Sequence, residues 1–262
     1  MNGPSACRDI LNALLPWGPC ALCGGDSRGG PAPGICRACW RKRLRPRTPA
    51  CSVCGMPFPR NLAEEEPIEG PCGFCLKDPP HFVAHRSVYV YEDPVRTLIL
   101  LYKDVRRYAL ANVLGGCVAR LVLREWDETS FDGVVPVPGS ARRRLLRGFD
   151  PADLIARAAA RRLGLPFIRG LKLRRNPAPQ KGLSAAGRRR NLRGAFVPHR
   201  LPRGDLSLLL VDDVFTTGAT LRETSRVLAG AGAEVRAASV AVAVRRTPQA
   251  DAYPGGIPPG AP

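Results

Sequence analysis

Two adjacent carboxylates, Asp212 and Asp213, follow an apolar run and precede a loop rich in threonine and glycine, in the stretch LLLVDDVFTTGAT. A pair of acids at the end of an apolar strand suits the vicinal hydroxyls of a sugar. The loop adds side-chain hydroxyls, which belong to Thr216, Thr217 and Thr220. It also has free backbone N–H groups, and Gly218 leaves room for close approach. The stretch therefore predicts a site for a ribose 5-phosphate.

Two acids after a strand can instead cap the next helix. The helical pattern is predicted to begin near Thr220, several residues beyond Asp213. A capping side chain bonds N–H groups two or three residues ahead of it, so neither acid is well placed to cap this helix. The sugar-binding interpretation is therefore favoured.

Eight of the ten cysteines form four Cys-x-x-Cys pairs, which are Cys20/Cys23, Cys36/Cys39, Cys51/Cys54 and Cys72/Cys75. Two residues between thiolates let both sulfurs of a tight turn reach one tetrahedral ion at about 2.3 Å. Two pairs complete a closed four-thiolate site, so the sequence predicts two structural Zn²⁺ ions. Sequential pairing is favoured, and the crossed pairing (first with third, second with fourth) fits the spacing too. Disulfides, redox chemistry and an iron–sulfur cluster are the alternatives. Cys7 and Cys117 receive no role.

The chain is strongly basic, with 40 Lys and Arg against 22 Asp and Glu and a formal net charge of +18. Such an excess favours polyanionic partners, namely nucleic acid, phosphorylated metabolites or an acidic membrane surface. Arginine-rich codon usage in a GC-rich genome would also produce it. No apolar run approaches the roughly 20 residues of a spanning helix. We therefore expect a cytoplasmic protein without membrane insertion.

Composition divides the chain into four segments. We expect an N-terminal helix over residues 1–17, a double zinc ribbon over 18–80, an α/β domain over 81–246 and a disordered Pro/Gly-rich tail over 247–262. Within the α/β domain, strands such as SVYVYE, FDGVVPVP, DLSLLLV and EVRAASVAVAV alternate with helices. One helix is predicted to have Asp93 as N-cap and Pro94 at its first position, and another is closed by Gly164. Continuously apolar strands predict a parallel sheet with helices on both faces, and such sheets bind ligands at the carboxyl ends of their strands.

These motifs together resemble the ComF family of phosphoribosyltransferase-like proteins, which are associated with competence for DNA uptake. LLLVDDVFTTGAT is similar to the phosphoribosyl pyrophosphate (PRPP) signature of type I phosphoribosyltransferases. The resemblance covers residues from about 10 to 245 and includes the cysteine pairs, LYKD, VVPVP, RRRLLRGFD and PAPQKGLSAAGRRRNLRGAF. It implies a type I phosphoribosyltransferase-like fold beside the zinc ribbons.

The resemblance also implies residue roles. Asp212 and Asp213 would bind the ribose hydroxyls of PRPP. The 5-phosphate would be enclosed by Thr216, Thr217, Gly218, Ala219 and Thr220. The pyrophosphate, with Mg²⁺, would meet the turn at Gly139 and Ser140. Several arginines lie on or just past this turn, namely Arg142, Arg143, Arg144 and Arg147.

The sequence departs from the family pattern at three positions. The turn often reads Leu-His where this chain has Gly139 and Ser140, and the Asn common after Arg-Gly-Phe is Asp150. These two changes bear on pyrophosphate binding. Purine-salvage relatives carry Asp at the position of Thr216, which argues against their chemistry here.

Residues 172–193 carry eight Lys and Arg and no acid. The stretch matches the position of the hood that closes over substrates in phosphoribosyltransferases. Hood candidates for neutralising pyrophosphate are Lys181, Arg188 and Arg189, and candidates for a DNA backbone are Arg188, Arg189, Arg190 and Arg193. A solvated loop is the alternative. Lys103 of LYKD is a weaker candidate for an anion contact.

Two functions remain open from the sequence. The first is transfer of a phosphoribosyl group to an unknown acceptor with release of pyrophosphate, in DNA uptake or DNA processing. The second is a non-catalytic protein that binds single-stranded DNA and uses PRPP as a regulatory ligand. With only 6% aromatic residues, such DNA binding would be mostly electrostatic. DNA-uptake or recombination proteins are possible partners, and the sequence identifies no catalytic residue.

Overall fold

The computed structural model describes residues 19–20, 23–30, 35–43, 50–58, 70–104, 108–126, 130–178 and 184–244. The helix expected over residues 1–17 and the tail expected over 247–262 lie outside these residues. Among the described residues, no helix combines the length and apolar character needed to cross a membrane.

Six strands and eight helices are defined in the described part of the chain. The strands are β1 (Ala84–Val90), β2 (Gly133–Pro136), β3 (Leu171–Leu173), β4 (Phe196–Pro198), β5 (Leu206–Phe215) and β6 (Ala233–Val242). The helices are α1 (Arg37–Arg43), α2 (Gly73–Lys77), α3 (Val95–Asp104), α4 (Ala109–Glu125), α5 (Ala141–Arg147), α6 (Pro151–Leu163), α7 (Ala185–Leu192) and α8 (Ala219–Ala229).

Four of the strands form one parallel sheet in the order β1-β6-β5-β2. The remaining strands, β3 and β4, pair antiparallel in a separate two-stranded sheet. β1 begins at Ala84, earlier than the predicted Ser87, because the polar residues at its start pair in register with β6. The predicted parallel α/β sheet is confirmed.

The apolar run of β5 explains why both faces of the sheet carry helices. Leu209 and Val211 pack into a core with α3, α4 and α6, whereas Leu208 and Leu210 pack into a second core with α8. All four side chains are fully buried. Successive side chains of a strand point to opposite faces, so a run without polar residues requires cover on both sides.

One predicted helix start is refined by the structure, and one predicted helix end agrees with it. α3 begins at Val95 rather than at Pro94, and the Asp93–Pro94 peptide bond is cis. The Asp93 carboxylate accepts a hydrogen bond from the Thr97 hydroxyl at 2.8 Å. α6 ends as predicted, because Gly164 follows it in the left-handed region with φ of 68°.

Candidate functional site

The acidic pair lies within β5, at the carboxyl end of the parallel sheet. Asp212 is in register with Ser239 of β6, and the strand continues to Phe215. α8 begins at Ala219, close to the predicted start, so neither acid caps it. Both carboxylates therefore lie at the sheet edge where α/β proteins bind ligands.

Glycine is required at the start of α8 for two reasons. Gly218 has φ of 74°, a left-handed conformation that side chains other than glycine rarely adopt. A Cβ atom at Gly218 would also lie 2.6 Å from the Phe215 ring. The loop of residues 216–220, named here the phosphate loop, is thus packed directly on the end of β5.

A cavity of about 740 Å³ opens at this edge of the sheet. It brings together six of the residues predicted to bind PRPP, which are Gly139, Ser140, Asp212, Asp213, Thr216 and Thr220. Four cationic residues also line it, which are Lys103, Arg144, Arg147 and Arg188. Of the other predicted phosphate contacts, Gly218 and Ala219 are buried in the phosphate loop, and Ala219 N–H lies 3.4 Å from Thr217 Oγ1. Acids and cations therefore share one cavity.

Lys103 forms an ion pair inside this cavity. Its Nζ lies 2.8 Å from Asp213 Oδ2, and each of the two side chains is only 18% exposed. Lys103 was predicted to contact an anion, and its carboxylate partner was not foreseen. The pair fixes one of the two acids and keeps a cation next to the acidic pair.

The second acid, Asp212, is held differently. Its Oδ1 accepts a hydrogen bond from the backbone N–H of Asp213 at 2.8 Å. Burial, reinforced by the neighbouring charge of Asp213, raises the pKa of Asp212 to about 8. The raised pKa extends the pH range over which Asp212 can be protonated, and the protonated carboxyl can donate a hydrogen bond as well as accept one.

Asp150 occupies the family's Asn position and holds the turn expected to bind pyrophosphate. Its Oδ2 accepts a hydrogen bond from Gly139 N–H at 2.7 Å, and a Cβ at Gly139 would lie 3.0 Å from that oxygen. Burial raises the pKa of Asp150 above its usual value. Asp150 thus adds a third carboxylate to the cavity, and this carboxylate accepts the hydrogen bond that holds Gly139 in the turn.

Two of the four arginines that follow this turn lie at the cavity. Arg144 and Arg147 of α5 line the cavity. Arg142 also belongs to α5, but its side chain, like that of Arg143, lies outside the described residues.

The hood segment of residues 172–193 contains the helix α7. Ser184 precedes it, and the Ser184 hydroxyl accepts a hydrogen bond from Gly187 N–H at 3.1 Å. Arg188 lines the cavity. The other DNA candidates, Arg189, Arg190 and Arg193, are exposed. Lys181 lies outside the described residues.

Asn191 is a structural residue of this segment that the sequence did not indicate. Its side-chain amide accepts from Ala178 N–H at 3.0 Å and donates to the Ala178 carbonyl at 2.9 Å. Ala178 and Asn176 also line the cavity. An Asn in a basic helix carries no sequence signal for this contact, since it depends on tertiary packing.

The eight paired cysteines form two clusters, as the sequential pairing predicts. The first cluster contains Cys20, Cys23, Cys36 and Cys39, and the second cluster contains Cys51, Cys54, Cys72 and Cys75. A tetrahedron with Zn–S bonds of about 2.3 Å has S–S edges of about 3.8 Å. The Cys23–Cys36 and Cys54–Cys72 sulfur distances are both 3.7 Å. Four thiolates at this spacing fit a structural Zn²⁺ ion in each cluster.

Of the two remaining cysteines, Cys117 belongs to neither cluster. Cys117 is buried in α4, where Arg120 Nη2 lies 3.2 Å from its sulfur and the Tyr89 hydroxyl lies 3.6 Å away. Cys7 lies outside the described residues.

Several known proteins are similar to this chain. The family model of the double zinc ribbon domain matches residues 10–76. The DNA utilization protein YhgH of Salmonella typhimurium is 36% identical over 204 residues, covering 76% of this chain and 86% of the relative. Competence protein F of Haemophilus influenzae is 30% identical over 214 residues, covering 77% of this chain and 86% of the relative. Orotate phosphoribosyltransferase from Aeropyrum pernix aligns at 22% identity with a TM-score of 0.32, over 59% of this chain and 67% of that chain.

The parallel sheet, the acidic pair at its carboxyl edge and the paired cysteine clusters define a parallel α/β protein with a double zinc ribbon. The extent of the match to its relatives identifies the family. The chain belongs to the ComF family, whose curated members carry names that refer to competence and DNA utilization.

Proposed function

We propose that the chain binds PRPP in the cavity at the carboxyl edge of the sheet. One observation carries the proposal: the acidic pair, the phosphate loop and four cationic side chains line or border the same cavity. PRPP presents a ribose diol, a 5-phosphate and a pyrophosphate, and each has a chemical counterpart there. The cavity volume of about 740 Å³ leaves space for an acceptor beside PRPP.

The three groups of PRPP would be bound by different elements. Asp212 and Asp213 would hydrogen-bond the ribose hydroxyls, and the N–H groups and hydroxyls of the phosphate loop would bind the 5-phosphate. The turn at Gly139 and Ser140 would face the pyrophosphate, with Arg144, Arg147 and Arg188 supplying positive charge. Lys103 lies near enough to Asp213 to contribute at the junction of sugar and pyrophosphate.

Magnesium fits this arrangement, because the cavity offers the carboxylate oxygens that hard cations prefer. Mg²⁺ would arrive with PRPP, would be held near Asp212 and Asp213, and would neutralise charge on the pyrophosphate. The chain's own cations would share that task, while the acidic pair orients the sugar ring.

The reaction that this site supports is transfer of the phosphoribosyl group. A nucleophile on an acceptor would form a bond to the anomeric carbon, and the carbon–oxygen bond to pyrophosphate would break with its electron pair leaving on pyrophosphate. Cationic side chains around the leaving group would lower the energy of a transition state in which negative charge develops there. The relatives' names, which refer to DNA utilization and competence, support a role of this activity in DNA uptake or DNA processing.

A second candidate function rests on the outer surface of α7. Arg189, Arg190 and Arg193 are exposed and adjoin Arg188 at the cavity wall. Exposed arginines on one helix suit the phosphate backbone of single-stranded DNA. Under this candidate PRPP is a regulatory ligand, and DNA-uptake or recombination proteins are the partners.

PRPP binding and pyrophosphate release, measured with Mg²⁺ and with or without single-stranded DNA, test the two candidates. The double variant Asp212→Asn/Asp213→Asn should lose PRPP binding by calorimetry and keep DNA binding. Asp205→Asn, an exposed acid just before β5, is the matched control and should behave as wild type. Unchanged PRPP affinity in the double variant would refute the ribose assignment. PRPP binding without any release, together with DNA binding, would favour the second candidate.

A further inference from the structure

His85 connects the second cysteine cluster to the strand that carries the acidic pair. Its ring is fully buried, and Nδ1 lies 2.7 Å from the Cys54 carbonyl oxygen. A carbonyl oxygen can only accept, so Nδ1 carries the proton in this bond. The ring of Phe215, at the end of β5, stacks on the imidazole of His85, with 4.2 Å between the ring centroids. The cluster backbone and the end of β5 are therefore separated by one side chain.

Phe215 extends this contact to the phosphate loop. Because a Cβ at Gly218 would lie only 2.6 Å from the Phe215 ring, the ring supports the residue that opens α8. A shift of the imidazole would move Phe215, and a shift of Phe215 would change the space available to the loop. Close packing transmits such displacements, since interiors contain few voids that could absorb them.

Arg222 makes a second connection to the same cluster. It lies in the first turn of α8, where its N–H donates to the Gly218 carbonyl at 2.8 Å. Its guanidinium donates to the Asp78 carbonyl, lies 3.3 Å from the Asp78 carboxylate and lies 3.8 Å from Cys75 Sγ. The side chain is only 13% exposed. Four thiolates around one Zn²⁺ carry a net negative charge, so a nearly buried guanidinium beside them is electrostatically favourable.

The first cluster is attached to a different part of the fold. Trp40, which directly follows Cys39, packs edge-on against Tyr89 at 6.3 Å, and Ile35 enters the core that contains α3, α4 and α6. The cysteines of the second cluster belong instead to the core shared with α8. The two clusters are thus expected to have different effects on the phosphate loop.

We infer that His85 and Arg222 are positioning residues through which the second cluster, when it holds its metal, keeps the phosphate loop in its binding conformation. The inference takes the loop's role from the proposed function, but the coupling itself concerns only this chain and its metal. Linkage is reciprocal, so a ligand on the loop should in turn slow loss of metal from the second cluster.

Hydrogen exchange of the full zinc-loaded chain, followed by mass spectrometry during stepwise chelation, tests the coupling without any ligand. Peptides from residues 23–43 report the state of the first cluster. Peptides from residues 51–58 and 70–78 report the state of the second cluster. Exchange at residues 214–222 should rise at least about fivefold as the second cluster loses protection, and should not follow the first cluster. Loop exchange that stays at its starting value after the second cluster has lost its metal would overturn the inference.

Variants at Arg222 separate positioning from general stability. Arg222→Ala should raise loop exchange while both zinc ions remain bound, and Arg222→Lys should restore part of the protection because it keeps the charge. Arg236→Ala is the matched control, since it removes a partly buried, ion-paired arginine from the opposite end of the sheet. If Arg222→Ala and Arg236→Ala change loop exchange equally, the positioning role is refuted.

Ribose 5-phosphate provides a separate measurement of the reciprocal effect. In wild type it should slow zinc release from the second cluster about fivefold, and Arg222→Ala should reduce that effect. Bound ribose 5-phosphate that leaves the release rate unchanged would contradict the coupling. Failure of ribose 5-phosphate and PRPP to bind wild type would refute the proposed function, while the exchange experiment would still decide the inference.

Discussion

Lys103 on α3 and Asp213 on β5 form an ion pair of 2.8 Å at the carboxyl edge of the sheet. The pair joins a helix on one face of the sheet to the strand that carries both acids. It places a cation where a sugar diol and a pyrophosphate would meet, and its charge lowers the pKa of Asp212, though less than burial raises it. Lys103 therefore affects both acids.

Replacing Lys103 tests this role directly. Lys103→Met should weaken PRPP binding about tenfold, equivalent to about 1.4 kcal/mol, because a largely buried cation is lost from an anion site. The variant should also lower the free energy of unfolding by about 1–3 kcal/mol, because Asp213 is left without its partner. Calorimetry with PRPP and urea denaturation measure the two effects. Lys103→Arg is the control, and equal losses in both variants would argue that side-chain shape, and not charge, matters.

The raised pKa of Asp212 predicts how stability depends on pH. The carboxyl has a pKa of about 8 in the folded chain against 3.8 as a reference for the unfolded chain. Between these values the folded state binds more protons, so this group makes the free energy of unfolding fall as pH rises. Asp212→Asn removes this contribution, so the slope of the unfolding free energy against pH should become less negative between about pH 4 and pH 8. Urea denaturation at a series of pH values measures the slope. An unchanged slope in Asp212→Asn would contradict the assignment.

Local patterns were sufficient for much of the fold and for half of the site. The run LLLV before Asp212 predicted a strand buried on both faces, because four consecutive apolar residues need cover on each side. Cysteine spacing predicted the two clusters, and the loop composition predicted the edge of the cavity. Each of these signals lies within a short stretch of sequence.

The contacts that orient the site were not predictable, because their partners are distant in sequence. Nothing local links Lys103 to Asp213 or Gly139 to Asp150. The early start of β1 was missed because His85 is polar, and its burial is stabilised by the Cys54 carbonyl and by Ser239. Such groups become favourable in a core only when tertiary structure supplies their hydrogen-bond partners.

Asp150 can be tested with a near-isosteric change. Asp150→Asn keeps an oxygen that can accept from Gly139 N–H and removes one negative charge from the cavity. Binding of inorganic pyrophosphate should therefore tighten, by about fivefold, equivalent to about 1 kcal/mol. Asp150→Ala removes both charge and acceptor, so it should bind pyrophosphate less tightly than Asp150→Asn because the turn loses its support. Calorimetry with pyrophosphate compares the variants, and weaker binding by Asp150→Asn than by wild type would refute the electrostatic argument.

The arginines of α7 allow the two candidate functions to be separated on one helix. Arg188 lines the cavity, whereas Arg189 and Arg190 are exposed on the outer surface. Arg189→Ala/Arg190→Ala should reduce the salt dependence of single-stranded DNA binding by about 1.4 in the slope of log K against log salt, since each phosphate contact contributes about 0.7. The same variant should leave pyrophosphate binding unchanged.

Arg188→Ala should show the opposite pattern, with weaker pyrophosphate binding and a smaller change in the DNA slope. Fluorescence anisotropy at several salt concentrations measures DNA binding, and calorimetry measures pyrophosphate binding. Arg203→Ala, an exposed arginine in the loop before β5, controls for loss of net charge. If the control and the double variant change the slope equally, α7 has no special role in DNA binding. If Arg188→Ala leaves pyrophosphate binding intact, the cavity wall formed by α7 does not contact the leaving group.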